Sequence, residues 1–543
     1  MKDVKEEETI DAEHLNLAHG TAYSFLYNYS VFIFQILTSI LLARLLSQEL
    51  WGFLILVNSY ISIIILLLSF LPPSLNNVLN YAIPKYISLD QKENIKSIIK
   101  YSLCLKLIFI FPVFLISLLI FYFLSSLFLG SLNGYLILLF IYSPLIFING
   151  LESIYIGIYR GFNNFKIILI LILVKNLLYI GTLLFYLIFL NNVSIIIVAY
   201  TNLICFISTF FLSTLIVLRK YRDINKVNNN NNNIKFKEYF QEVLKYGSNI
   251  SVGIFINEFW KQIEVISIGY SQSPSLVTGY SLANYYKEVG QSASASFTYP
   301  LLTSFSKIAS KKFFKRITIY YNIIFKYSLH LSLLIAGLMI FSAYFFLVLV
   351  YGENYIGFLP LLTVYIFYIL FTGLNSSFDA YLMLEKNSKY IIPIRIIFVL
   401  TRSCLFLLFL IFYDVFLAIL GIVIANFIIF GFQMIISIKI FNIRIDLLNT
   451  IKQYIIFIIS FTLSLLLHIL ILNDLYRFLL ETLNLEFIMT LPLITIISYL
   501  FIYFGLTKFL NVFSIKEIEL MKALFSKKNI IHRAMRKILN LLK

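Results

Sequence analysis

The stretch ILLARLLSQELWGF, residues 40–53, closes one apolar run and opens the next. Arg44 is the first strong charge after the N-terminal tail, and Trp51-Gly52 stands where the chain turns back into apolar sequence. Two long apolar runs joined by a short polar turn read as a membrane hairpin. The composition agrees: of 543 residues, 60% are apolar and 13% charged, and the mean hydropathy is +0.90. Soluble domains carry about 25% charged residues. A bilayer admits only helices and closed barrels, and runs such as Leu54–Leu71 lack the polar alternation of a barrel strand. The sequence therefore predicts an all-α integral membrane protein.

Apolar runs of about 20 residues or more suggest 14 spans: 21–43, 51–80, 101–125, 134–158, 166–190, 193–218, 240–268, 276–305, 318–349, 356–384, 390–412, 415–438, 452–472 and 487–508. With the N-terminus placed in the cytoplasm, the inner loops and tails hold 33 of the 43 Lys and Arg residues, counting Lys166, Lys452 and Lys508 with the loops. The outer loops hold only Arg44 and Arg477, as the positive-inside rule requires. Both termini are thus expected inside, in the cell membrane, and the acidic first 19 residues show no signal peptide.

The charge pattern also divides the chain. An acidic tail (1–19) leads into a first six-helix bundle (20–218). A basic linker (219–237) with six consecutive asparagines precedes a second six-helix bundle (238–440). A helix hairpin (441–510) and a basic amphipathic cytoplasmic tail (511–543) complete it, the latter expected to lie on anionic lipid. The two bundles look related. Residues 154–190 and 378–413 share an aromatic-rich span end, a polar turn and a span with one central cation, Lys175 or Arg402. Each half has an even number of spans, so the repeats would be parallel, related by a pseudo-twofold axis along the membrane normal.

Several function classes fall away. The net charge of +17 follows topology, so no nucleic-acid partner is expected. Cys104, Cys205 and Cys404 lie in apolar runs without a CxxC pair, and the five histidines are scattered, giving no metal or cofactor site. No catalytic grouping or phosphate-binding loop is present, so the expectation is a transporter rather than an enzyme.

Intramembrane charges are the remaining functional signal. Each costs about 2.5–3.5 kcal/mol to insert, so it faces a cavity or a partner. Glu258, Lys261 and Glu264 step by three along span 7, a spacing that also permits internal ion pairing. Span 8 carries Asn284, Lys287 and Glu288. Lys261 and Lys287 are the candidate phosphate contacts, with Arg44 at the outer mouth, where it either guards a cavity or anchors a helix end by snorkelling. Glu258, Glu264, Glu288, Gln35 and Asn58 are the polar cavity or ion-coupling candidates. Lys175 and Arg402 are secondary charges with a structural reading, as are Arg395, Glu152 and Asp379. Lys106, Lys245 and Lys326 lie near enough to the inner face to snorkel.

The Ala43-Arg44-Leu45-Leu46 run with Trp51-Gly52 resembles the start of the Wzx-type polysaccharide flippases. The turn GIYRGFNNFK (Gly157–Lys166) and the basic turn after Pro84 are similar to that family as well. The resemblance extends to the plan of the multidrug/oligosaccharidyl-lipid/polysaccharide exporter superfamily. It implies a flippase of polyprenyl- or dolichyl-(pyro)phosphate-linked oligosaccharide, moving from inner to outer leaflet by alternating access. It implies cavity cations that meet the phosphate, membrane lipids around the tail, and glycan-assembly proteins as partners. The acids of span 7 depart from this pattern. They keep open a second reading, a proton- or sodium-coupled (H+ or Na+) exporter of organic cations. A non-transporting subunit of a glycan-assembly complex is a third.

Overall fold

The computed structural model describes residues 30–88, 91–127, 136–162, 164–190, 193–225, 235–295, 314–382, 384–482, 491–514 and 517–518. The acidic tail, the asparagine run and residues 519–543 of the amphipathic tail lie outside them. Among the described residues every regular element is helical, and no strand occurs. Among the described residues, ten helices are long and apolar enough to cross a membrane, and Ser30–Leu45 and Ile494–Phe509 are shorter apolar helices. The chain is an all-α, multi-pass membrane protein.

The elements in order are α1 (Ser30–Leu45), α2 (Gln48–Phe70), α3 (Leu75–Ser88), α4 (Lys92–Leu127), α5 (Leu136–Tyr142), α6 (Pro144–Gly161), α7 (Phe165–Phe189) and α8 (Ile195–Asn225). Then come α9 (Phe236–Ser271), α10 (Pro274–Ala295), α11 (Phe314–Phe346), α12 (Leu359–Ile366), α13 (Asn375–Leu382), α14 (Ile391–Phe412), α15 (Val415–Lys439), α16 (Leu447–Thr482) and α17 (Leu491–Phe509). The chain forms two compact units. One holds residues 1–281 with 389–400, and the other residues 282–388 with 401–543.

In the first unit, α2 begins where Ser47 accepts a hydrogen bond from the Leu50 N–H at 3.3 Å, a side-chain cap for one of the helix's free donors. The sequence reads 51–80 as one span, but α2 stops at Phe70 and α3 starts at Leu75. Pro72 and Pro73 have no N–H to donate, so the backbone carbonyls of Leu68 and Ser69 lose their normal partners. Ser74 then turns with φ +44°. Lys106 of α4 repairs part of this break: its ammonium donates to the Leu68 carbonyl, and the side chain is buried. The expectation that Lys106 snorkels to the interface is corrected, because the unpaired carbonyl offers it a nearer acceptor. Below the break, Val78, Leu79, Ala82 and Ile83 of α3 pack with Ile98 of α4, Ile154 and Ile158 of α6, and Tyr239 and Val243 of α9. Between membrane helices, where lipid tails are as apolar as the side chains, such packing is held by van der Waals contact and by satisfied polar groups. Tyr159 supplies such satisfaction, donating to the Ser213 carbonyl at 2.9 Å.

In the second unit, α11 packs against α17. Tyr499 donates to the Leu333 carbonyl and Tyr503 to the His330 carbonyl, both at 3.0 Å. Expected span 356–384 is interrupted: α12 passes into a short tight helix, Phe367–Phe371, before α13 resumes at Asn375. After α17, Phe513 stacks on Tyr327 at 4.3 Å, and Glu517 receives both Lys326 contacts, at 2.9 and 3.1 Å. Ser514 and Glu517 cap each other reciprocally, the Ser514 N–H donating to Glu517 Oε2 at 2.8 Å and the Glu517 N–H to Ser514 Oγ at 3.3 Å. Lys326 is therefore an ion-pair partner rather than a snorkelling lysine.

Candidate functional site

The charged ladder of span 7 lies on α9, in the first unit. Its residues follow helical spacing but do not act as one group. Glu258 and Lys261 form an i,i+3 ion pair at 2.8 Å, with 36% and 39% of their side chains exposed. Asn257 adds a hydrogen bond to Glu258 at 3.3 Å. Glu264, one turn further, is fully buried and accepts from the Tyr280 hydroxyl at 2.7 Å. A buried carboxylate needs such donors, because desolvation without them is costly. The ladder thus separates into an open ion pair and a closed, hydrogen-bonded acid.

The span-8 cluster lies in the second unit. Lys287 is 4% exposed and donates to Asn284 Oδ1 at 2.7 Å and to the Tyr365 hydroxyl at 3.3 Å. Its ammonium also sits 4.4 Å from the Tyr365 ring centroid and 4.9 Å from that of Tyr368. Aromatic faces attract a cation electrostatically, more strongly when it is desolvated. Asn284 in turn donates to Glu288 at 3.1 Å, so Glu288, Asn284, Lys287 and Tyr365 form one chain of polar contacts. The sequence does not distinguish Tyr365 and Tyr368, because its aromatics are too numerous to choose between. The i,i+3 spacing of a tyrosine pair within LTVYIFYILF was the available signal.

The other candidates are dispersed. Arg44 is exposed near the end of α1, Asn58 is exposed on α2, and Gln35 is half-buried on α1. Lys175 of α7 places its ammonium 3.7 Å from the Phe206 ring of α8, within electrostatic range of Glu152 on α6. Arg402 is half-buried on α14. Among the described residues, no group of three or more His, Cys, Asp or Glu is arranged to hold a metal ion.

A direct search of curated protein sequences finds no match. Solved structures share the fold. The lipid II flippase MurJ in an inward closed conformation is similar with a TM-score of 0.64 at 18% identity, covering 90% of this chain and 98% of that one. An inward-facing multidrug resistance MATE family transporter of the MOP superfamily gives 0.61 at 15%, covering 74% and 93%. The Vibrio cholerae MATE transporter VcmN gives 0.56 at 15%, covering 79% and 96%. The family model described as "Polysaccharide biosynthesis protein" matches residues 17–308, more than half of the chain and including the Arg44 and Trp51-Gly52 stretch, α9 and α10. The chain belongs to the polysaccharide biosynthesis protein family.

Proposed function

We propose that this protein is a flippase for a polyprenyl-(pyro)phosphate-linked oligosaccharide, moving it from the inner to the outer leaflet by alternating access. Membership of a polysaccharide biosynthesis family carries the proposal. In this reading the protein lies in the cell membrane with both termini inside, and its six-helix bundles are joined by the basic linker. Lys261 is the leading phosphate contact, because its ammonium is half-exposed and, among the described residues, its ion-pair partner is the equally half-exposed Glu258. A doubly charged phosphate oxygen cluster can compete with the single Glu258 carboxylate for that ammonium. Lys287 and Arg44 are further contacts, and Lys287 needs its aromatic surroundings to loosen first. An inside-negative potential favours outward movement of a negative headgroup by about 2.3 kcal/mol per charge per 100 mV.

Proteoliposomes with a fluorescent lipid-linked oligosaccharide test the proposal. Quencher-accessible signal should rise with the wild type and fall at least several-fold with Lys261→Ala. No translocation by the wild type, with or without proton or sodium gradients, would defeat it. The second reading, a cation exporter coupled to H+ or Na+, rests on the carboxylates of Glu258, Glu264 and Glu288. Ion-gradient-dependent efflux of an organic cation by the same proteoliposomes, abolished by Glu264→Gln, would favour it.

A further inference from the structure

One end of the first unit is ringed by cations. The last turn of α3, the start of α4, the ends of α6 and α8 and the start of α9 meet there over one core, which includes Tyr86, Ile99, Tyr159, Val217 and Tyr239. Contacts at its edge tie the helix ends together. The Tyr101 ring of α4 meets Phe236 of α9 edge-on at 5.4 Å, and the Ser102 and Tyr239 hydroxyls share a hydrogen bond beside it. The Lys220 ammonium of α8 lies 4.2 Å from the ring of Phe162, at the turn between α6 and α7. Around these contacts stand Lys100, Lys166, Arg219, Arg222, Lys235 and Lys237, all exposed. Among the described residues none of the six forms an ion pair, and the acidic side chains described at this end are Glu93 and Glu238. Sequence neighbours do not cancel the excess, because Asp90, Asp223 and Glu242 are outnumbered by Lys85, Lys92, Lys226 and Lys245.

The chain also holds a segment of opposite sign. Residues 1–19, MKDVKEEETIDAEHLNLAH, carry six acids against two lysines and lie outside the described residues. Acidic residues contribute little to membrane topology, so the basic rim answers a topological need that these acids do not. A two-residue turn, Leu46-Ser47, joins α1 to α2, so α1 begins at the end of that hairpin far from Gln48. Helices α2 and α3 run toward that same end, where Tyr86 enters the core of the basic rim. Nineteen residues reach about 65 Å at most, several times the roughly 8–10 Å between packed helices.

We propose that the acidic N-terminal segment docks on this basic end, with Glu6, Glu7, Glu8 and Asp11 set against Lys100, Lys235 and Lys237. Single exposed ion pairs are weak. Several together suffice on a tethered segment, whose effective concentration is on the order of millimolar. Phe236, 44% exposed between Lys235 and Lys237, gives Ile10 an apolar seat. The docked segment keeps anionic lipid headgroups off the same cations.

Pulsed dipolar spectroscopy on the full chain tests it, with Cys104, Cys205 and Cys404 replaced by serine. Spin labels are placed at Thr9→Cys and at Gln241→Cys, an exposed position one turn beyond Lys237. In nanodiscs of neutral phosphatidylcholine at low salt, the pair should give one narrow distance population. It should broaden at about 1 M salt, where charges are screened beyond about 3 Å. Glu6→Gln/Glu7→Gln/Glu8→Gln should broaden it equally. It should persist when phosphatidylglycerol replaces part of the phosphatidylcholine. A broad distribution in the labelled protein at low salt would overturn the proposal, as would a narrow one indifferent to salt and to the glutamine variant. Loss of the narrow population on adding phosphatidylglycerol would overturn it too, since the cations would then belong to lipid headgroups. The salt and lipid arms need no change to the rim, so folding of a variant does not decide them. The readout is distance and not transport, so it fails or succeeds independently of the flippase assay.

Discussion

Lysines in this chain owe their roles to what faces them. Lys106 meets a carbonyl that Pro72 leaves without a donor. Lys106→Met should cost about 1–3 kcal/mol, the penalty of a buried unsatisfied group, read as a lower melting temperature of the purified protein. Two of the three candidate phosphate contacts, Lys261 and Lys287, should also separate by this measure. Lys287→Ala removes the buried ammonium that links Asn284 to Tyr365 and should lower the melting temperature, whereas Lys261→Ala, at a half-exposed pair, should lower it less. Glu517 adds a pH dependence. Burial pushes its carboxyl up, but hydrogen bonds from Lys326 and Ser514 outweigh that and hold it below the usual carboxylate range. A depressed folded-state value means that the contribution is complete above the unfolded-state value and is lost as pH falls through the folded one. Melting temperature should therefore drop on acidification in the wild type and drop less in Glu517→Gln. The residue types of these sites were legible in the sequence, since intramembrane charges are few. Their partners were not, because Tyr365 lies 78 positions from Lys287 and Glu517 lies 191 from Lys326.

Helices here begin and end for local reasons, and most of those reasons are visible in the sequence. Ser47 and Asp414 cap α2 and α15, Asp414 accepting from the Leu417 N–H at 2.8 Å. Pro144 opens α6 at a position where its missing N–H costs nothing. Apolar run length nevertheless hides interruptions. Expected spans 51–80 and 134–158 each contain a break at proline, and span 356–384 contains a change of helix type, because hydropathy is blind to hydrogen-bond continuity. Close approach is a property of two elements together. Gly52→Val would drive a side chain into the Pro274 carbonyl. The α2–α10 contact must then part, which should greatly raise labelling of Ser275→Cys by a membrane-impermeant maleimide. Unchanged labelling in a folded Gly52→Val protein would show that the contact is slack.

For the whole molecule, composition pointed to a membrane protein, and the long unbroken apolar runs, without the alternation of barrel strands, pointed to helices. The short motifs around Arg44 and Trp51-Gly52 pointed to the polysaccharide exporters, and the family match over residues 17–308 bears that out. At this scale the expected behaviour is electrical. If a phosphate-linked headgroup is the cargo, an inside-negative potential imposed on proteoliposomes should speed inner-to-outer transfer, and reversing it should slow transfer. The solvent, the helical class and the family were all readable along the chain, since they depend on composition, on period and on contiguous motifs. Which charges are open and which are enclosed came only with the packing of the helices. Glu258, Lys261 and Glu264 share one helical ladder, yet Glu264 is sealed by Tyr280 while Lys261 remains accessible. That difference arises from what neighbouring helices place against each face. Desolvation by distant residues, not spacing along the chain, sets it.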